Sequence, residues 1–471
     1  MLRKTLLIAA LAAAWPGCAA EREEPQADPA AALDEIRGPL ESLGYVNLVP
    51  ADDERRTGVT RWDREAAWPG LNLFNSRDES VARLIGMDGR ELHRFASDAR
   101  GTTHRLFHER LPSWVPPYLD GWNHVELLEG GDLLVIGSHH MLLRLDWNSR
   151  IRWQLDIAAH HDLSVAPDGR IHVLTDAVRT LDLGGEPVTF QDNEIAVVSP
   201  EGEVERRISL MDAFLADPAW EALLRAKFAA IRRVRAATIE ALQASIRSGD
   251  EEASHVLRLY ASRTDRSVPE EERGIRAVLF HERAEDLLHS NSIQVLERDR
   301  PGLWRAGDLL LCIRELDRIA VLDHESGRLV WSWGADELEG PHHATELADG
   351  TILVFDNGAE RGWSRVLRLD PDTGGIVWQY RADPPSDFFS QMRGGCEPLP
   401  NGNLLISETD RGRAFEITPE GEIVWEYHNE VLKEVDGEVM RGAIYRMTRI
   451  DASAVEPLLR PAAPDAAPAA N

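Results

Sequence analysis

Sixteen histidines are spread over this 471-residue chain, and four of them keep a common place relative to a recurring glycine turn. His124 lies seven residues before Gly131, His161 eight before Gly169, and His343 seven before Gly350. His289 opens the run His289-Ser290-Asn291-Ser292, which leads through a longer loop to Gly307. The sixth such place holds Gly395, seven residues before Gly402. A lone histidine is usually a satisfied core residue, but four at one repeat position point to a shared site. His342 stands directly beside His343, and Arg314 lies on the strand-like stretch after Gly307. A basic residue inside such a strand is costly unless it faces a channel or a carboxylate.

Two chemistries and one non-catalytic role fit histidines with an arginine. A His₃ cluster can hold zinc with water in the fourth position, which would make a metal-dependent hydrolase or lyase. Arg314 argues against that, because it sets a fixed positive charge beside a cation. A neutral imidazole can instead be the nucleophile, taking up an anionic group while a guanidinium and further histidines neutralise its oxygens. The planar fork of arginine matches the oxygens of a phosphoryl or sulfuryl group. No Ser or Cys paired with a base is evident. The third possibility involves no catalysis: a binding or scaffold protein whose repeats serve only packing.

The elements that must position these residues are repeats. GRLVWSWG (327–334), GGIVWQY (374–380) and GEIVWEY (421–427) each follow a turn, and the step from Gly327 to Gly374 to Gly421 is 47 residues both times. Weaker copies at Met87-Asp88-Gly89, Asp146-Trp147-Asn148-Ser149 and Ser199-Pro200-Glu201-Gly202 bring the number to six. A second hairpin of the form L-x-x-G-x-L-L-V precedes most of them, as in LLEGGDLLVIG (127–137) and LPNGNLLIS (399–407). Two hairpins per unit of this length make a four-stranded propeller blade, so the expected fold is all-β, a six-bladed β-propeller over 41–455. The tryptophans at 331, 333, 378 and 425 are expected to fill the space between blades. Residues 211–287 break the pattern. Asp217-Pro218 reads as a helix start, and Leu223, Leu224, Phe228 and Ile231 recur at helical spacing, so a helical insertion between blades three and four is expected. Its basic run (Arg225, Lys227, Arg232, Arg233, Arg235) reads as a solvated face. The segment 443–450 is expected to close the ring against the N-terminal blade, and the Pro/Ala-rich tail 456–471 to be disordered.

The ends and the charge restrict location and partners. Arg3 and Lys4 precede an apolar run from Leu6 to Ala14, the pattern of a signal peptide over 1–18. Trp15-Pro16-Gly17-Cys18 resembles a bacterial lipoprotein cleavage box, with Trp15 where Leu is usual; the alternative is an ordinary signal peptide cut nearby. Cys18 is therefore the expected lipidation site, 19–40 an acidic Pro/Ala-rich tether, and the protein exported, periplasmic and lipid-anchored. With 80 acidic residues against 52 Lys+Arg, the net charge of −28 repels phosphate backbones, so nucleic acid is not an expected partner. Nothing else in the sequence indicates a membrane contact. Cys312 and Cys396 form no metal pattern, and two buried thiols is the favoured reading.

At these residues the sequence resembles the bacterial arylsulfotransferases, which use phenolic sulfates as donors and do not need 3′-phosphoadenylyl sulfate. The resemblance runs over most of 60–450. It is carried by Gly70-Leu-Asn-Leu, Asn123-His-Val-Glu-Leu-Leu, His160-His-Asp, His289-Ser-Asn-Ser, Cys312-Ile-Arg314, His343-Ala-Thr-Glu-Leu-Ala-Asp-Gly-Thr-Ile-Leu-Val-Phe-Asp-Asn-Gly358 and Pro400-Asn-Gly-Asn. It implies a six-bladed propeller and sulfuryl transfer to a phenolic acceptor by double displacement, without a cofactor. His343 looks like the histidine that is transiently sulfated. His161, His289, Asn291 and Arg314 look like the groups that hold sulfuryl oxygens and manage protons. His124 and His342 are further candidates for substrate binding, and His342 is a competing candidate for the nucleophile. The helical insertion departs from the family pattern, so acceptor specificity and oligomeric state do not carry over.

Overall fold

The computed structural model describes residues 48–51, 53–76, 79–99, 121–137, 141–182, 187–229, 286–435 and 438–459. The expected signal peptide, Cys18, the tether to residue 40 and the far part of the insertion (230–285) lie outside the described residues, as do 460–471.

Six antiparallel sheets of four or five strands form the blades. Running outward from the innermost strand, the second blade is Trp122–Leu127, Leu133–Gly137, Met141–Leu145 and Ile151–Leu155. The third is Ala159–Val165, Ile171–Asp182, Pro187–Val198 and Val204–Ser209. The fourth is Ser290–Val295, Leu309–Ile313, Arg318–Leu322 and Leu329–Trp333, and the fifth is His342–Glu346, Ile352–Asp356, Arg365–Asp370 and Gly375–Tyr380. The sixth is Gly395–Pro398, Leu404–Glu408, Arg413–Ile417 and Ile423–His428, with Gly58–Trp62 added at its outer edge. In the first blade, Leu71–Asn75, Val81–Ile85 and Glu91–Ala96 receive Met447–Ile450 as the innermost strand. The ring is thus closed twice, and the C-terminal segment pairs with the N-terminal blade as expected. The second strands of the second, fourth, fifth and sixth blades are buried on both faces, because neighbouring blades cover each side. This explains their unbroken apolar runs.

Neighbouring blades are also latched at their outer edges. Four residues after each outer turn residue with positive φ (Gly89, Ser149, Gly202, Gly374, Gly421) comes a side chain that donates to a carbonyl in the next blade's turn. The pairs are His93 to Trp147 (2.9 Å), Trp153 to Pro200 (3.0 Å), Arg206 to His324 (2.5 Å), Trp378 to Pro419 (3.1 Å) and Trp425 to Met87 (3.0 Å). In the fourth blade the tryptophan two residues further on, Trp333, reaches Gly374 at 3.0 Å, while Trp331 packs edge-on against Trp304. The periodic tryptophans therefore do more than fill space. At four of the six junctions an indole N–H, from Trp153, Trp333, Trp378 or Trp425, satisfies a turn carbonyl of the next blade.

Between the third and fourth blades the chain leaves the sheet as helix, Leu210–Leu215 and then 218–229. Leu224, Phe228, Leu287 and Leu288 pack with Phe190, Phe214 and Ile293 in one core cluster. The described part of the insertion is thus fixed to the blades through a cluster that includes Leu287 and Leu288, the two residues before His289. Within its basic run, Arg225 pairs with Glu221 and Lys227 reaches Glu315; Arg232, Arg233 and Arg235 lie outside the described residues. At the C-terminus, Ala452–Leu459 is a helix whose Val455 enters the core cluster of the first and second blades. Residues 456–459 are therefore ordered helix, where a disordered tail was expected, because Leu458 and Leu459 have an apolar surface to cover.

Candidate active site

The innermost strands of four blades are irregular at their heads. Pairing slips between Trp122 and His124, Ala159 and Leu163, Ser290 and Ser292, and His342 and Thr345. Inside or beside these bulges, His161 (φ 54°), His289 (φ 48°) and His343 (φ 48°) adopt left-handed backbone. Such a conformation costs a non-glycine residue on the order of 1–3 kcal/mol and persists where surrounding structure enforces it. Bulges re-aim side chains. Here they turn histidines from separate strands toward one another.

His161 and His289 meet with ring centroids 4.9 Å apart, and His160 stands against His161 at the same separation. The two Nδ1 atoms of His160 and His161 are 2.7 Å apart, so one donates to the other. Behind His160 lies Asp176, 3.1 Å from its Nε2. Burial opposes a charge on His160, but Asp176 and Asp286 outweigh it and raise its pKa. His289 Nδ1 donates to Asp286 Oδ2 at 2.6 Å, which leaves its Nε2 as the lone-pair nitrogen of the neutral ring. Tyr445 donates its hydroxyl to the His161 carbonyl at 3.3 Å.

His342 and His343 are held in opposite ways. His342 Nδ1 is 2.7 Å from Asn357 Oδ1 and 3.0 Å from the Gly340 carbonyl, both acceptors, so Nδ1 carries the proton. Its Nε2 is then a lone pair, and it makes no hydrogen bond among the described residues. Burial, with the Arg314 charge and His289 nearby, pushes the His342 pKa down to about 3. His343 instead accepts the Cys396 backbone N–H on Nδ1 at 2.9 Å, so its neutral ring carries the proton on Nε2. Burial, then Arg446 and His124, hold its pKa well below the usual histidine value.

The contrast follows from one residue of register. Side chains alternate across a strand, so a slip of one residue changes the direction they face. Asp162 and His343 both lie seven residues before their turn glycines, whereas His161 and His342 both lie eight before. Asp162 Oδ2 accepts the Ile293 N–H (3.1 Å) and Ser292 Oγ the Ala344 N–H (3.3 Å), each from the next blade. His343 does the same for Cys396. It stitches the fifth blade to the sixth, and its counterpart in the third blade is Asp162 rather than His161.

Arg314 is not on the strand as expected. It begins the short 3₁₀ turn Arg314–Leu316 just past the strand end, where its guanidinium contacts Glu315 and its side chain runs beside Gly340. This places its charge near His342. Asn291 donates to the Pro341 carbonyl at 3.0 Å, and its buried Oδ1 has no partner among the described residues. His124 is also buried, 3.6 Å from Asp162 Oδ1, beside the Arg446–Asp162 pair at 2.8 Å. Arg446, Asp162, Asp286, Tyr445 and Asn357 are site neighbours that the sequence reading did not single out. Arg446 and Tyr445 sit in the ring-closing segment, so asking what that segment carries to the channel would have found them. Among the described residues, no group of three or more His, Cys, Asp or Glu is arranged to hold a metal ion. Cys312 and Cys396 are both free and buried, and burial pushes the Cys312 thiol up to about 12.

No protein of curated function matches the chain. Among solved structures, a Bacteroides caccae protein of unknown function is 14% identical with a TM-score of 0.45, covering 81% of this chain and 99% of that one. A virginiamycin B lyase from Staphylococcus aureus is 11% identical with a TM-score of 0.39, covering 86% and 98%. Two sequence profiles described as arylsulfotransferase (ASST) match residues 135–340 and 272–430. Together they run from the second blade through the sixth and take in His161, His289, Asn291, Arg314, His342 and His343, and on that evidence the chain belongs to the arylsulfotransferase family.

Proposed function

We propose that the chain, an aryl sulfotransferase acting with an aryl sulfate donor and a phenolic acceptor, works by double displacement with His342 as the nucleophile. One observation carries the choice: acceptors at Nδ1 leave the Nε2 of His342 as a free lone pair, whereas the Nδ1 lone pair of His343 is occupied by the Cys396 amide. In the first half-reaction, His342 Nε2 attacks the sulfur of the donor. The N–S bond forms, the S–O bond to the aryl oxygen breaks, and the departing phenolate takes up a proton. In the second, the acceptor phenol gives up its proton, its oxygen attacks the sulfur, and the N–S bond breaks to restore the imidazole. His289, backed by Asp286, and His161, backed by His160, are suited to move those protons. Arg314 is suited to meet the charge on the sulfuryl oxygens.

The test is steady-state turnover of a chromogenic aryl sulfate with phenol as acceptor. Double displacement predicts parallel double-reciprocal lines as acceptor is varied. His342→Gln should lose at least roughly 10²–10³-fold in kcat while remaining folded. His343→Gln should keep turnover and lose stability, since it removes a link between blades. The opposite pattern would return the role to His343. Loss of activity with a chelator would favour the metal-dependent reading.

A further inference from the structure

We infer that Asn357 is a positioning residue that fixes the tautomer of His342, and that two backbone carbonyls of the 390–393 loop dictate it. The inference rests on the reading of His342 as the nucleophile. Asn357 directly follows the second strand of the fifth blade and is fully buried. Its Nδ2 donates to the Ser390 carbonyl at 2.7 Å and to the Arg393 carbonyl at 2.8 Å. Both partners are pure acceptors, so the amide cannot be turned over: a flipped Asn357 would set its oxygen against two carbonyl oxygens. Oδ1 must therefore face His342, and the nitrogen 2.7 Å away must be N–H. The Gly340 carbonyl at 3.0 Å reinforces the same assignment. Each step is forced by hydrogen-bond polarity. The loop fixes the amide, the amide fixes the ring proton, and the ring proton leaves Nε2 as the only lone pair.

The choice of an amide also separates two imidazoles in one site. His289 is backed at Nδ1 by the carboxylate of Asp286, which stabilises the cation formed when a ring takes a proton at Nε2. His342 is backed by a neutral amide, which orients the ring without stabilising that cation. A carboxylate at position 357 would lose the two donors and face the Ser390 and Arg393 carbonyls, so the loop selects asparagine. The Ser364 hydroxyl donates to the Asn357 carbonyl at 2.8 Å and accepts the Ser390 N–H at 3.0 Å, holding the loop and strand end together.

The test begins with the unaltered protein labelled with ¹⁵N-histidine, the His342 signals being identified by their loss in His342→Gln. The expected spectrum at neutral pH shows a protonated Nδ1 and an unprotonated Nε2. A protonated Nε2 would overturn the inference, whatever the activity. Asn357→Ala, checked for folding by near-UV circular dichroism, should show the tautomers mixing and kcat falling with KM little changed. The loss should lie between about tenfold and 10⁴-fold, the upper figure being typical of a fully wrong tautomer; the Gly340 carbonyl still accepts. An unchanged tautomer in folded Asn357→Ala would also overturn it. A fixed Nδ1–H in a protein with no sulfuryl transfer would instead overturn the catalytic reading and leave the tautomer assignment standing.

Discussion

At the scale of single residues, the site distinguishes chemically identical side chains by what their ring nitrogens face. His342 has its Nε2 free, and His343 has its Nδ1 taken by a neighbouring blade. The low pKa of His342 has a consequence for stability. Folded, it binds a proton only near about 3, while an unfolded histidine binds one near about 6.5. Between those values the unfolded chain holds the extra proton, so this group lowers stability as pH falls below about 6.5. Thermal denaturation from pH 7.5 to 5 should therefore show His342→Gln gaining on wild type toward the acid end; a constant difference would contradict the burial of a neutral ring. Arg314 gives a second prediction. Arg314→Ala should lower kcat as well as raise KM, by about 3–4 kcal/mol in total, with Arg314→Lys intermediate because it keeps charge and loses the fork. An effect on KM alone would reduce Arg314 to substrate capture. The histidines were legible in the sequence because repeat spacing singles them out, Arg314 because a basic residue interrupts an apolar strand-like run, and Asn291 only through the family resemblance. The distinction between His342 and His343 was not, since a bulge adds one residue and only the three-dimensional register shows which neighbour each ring meets.

At the scale of elements, the outer latches explain why the V-W-x-[WY] runs recur. An indole N–H that satisfies a carbonyl across a junction contributes on the order of 1 kcal/mol beyond the ring's burial. Trp378→Phe should accordingly lower the stability measured in urea by about 1 kcal/mol more than Trp331→Phe. The Trp331 indole makes no hydrogen bond among the described residues. Equal losses would show that the tryptophans serve packing alone. The turns and second strands were readable because Gly-bearing hairpins and doubly buried apolar runs leave strong local patterns. Arg206 and His93, which replace tryptophan at two junctions, were not, because a charged or imidazole side chain carries no packing signal. The same holds for Ala452–Leu459, where a Pro/Ala-rich sequence folds because the blades offer Val455 a place.

At the scale of the whole molecule, the last strand completes the first blade and brings Tyr445 and Arg446 to the channel. Removing residues from 443 onward should therefore abolish cooperative unfolding as well as activity, as read by calorimetry; a truncated chain that still melts sharply would contradict the closure. We also propose that the protein is exported and lipid-anchored through Cys18, as its N-terminal pattern suits. Labelling with a radioactive fatty acid in bacteria should mark the wild type and not Cys18→Ser, and an unlabelled wild type would return the leader to an ordinary signal peptide.

In the mechanism proposed, a six-bladed ring holds one imidazole, His342, with its Nε2 ready to take a sulfuryl group. The most direct measurement is peptide mapping by mass spectrometry after incubation with an aryl sulfate donor and no acceptor, with the sample kept out of acid. The expected result is one sulfuryl group on His342, removed when phenol is added. A sulfuryl group on His343 or His161, or none on a protein that is turning over, would contradict it.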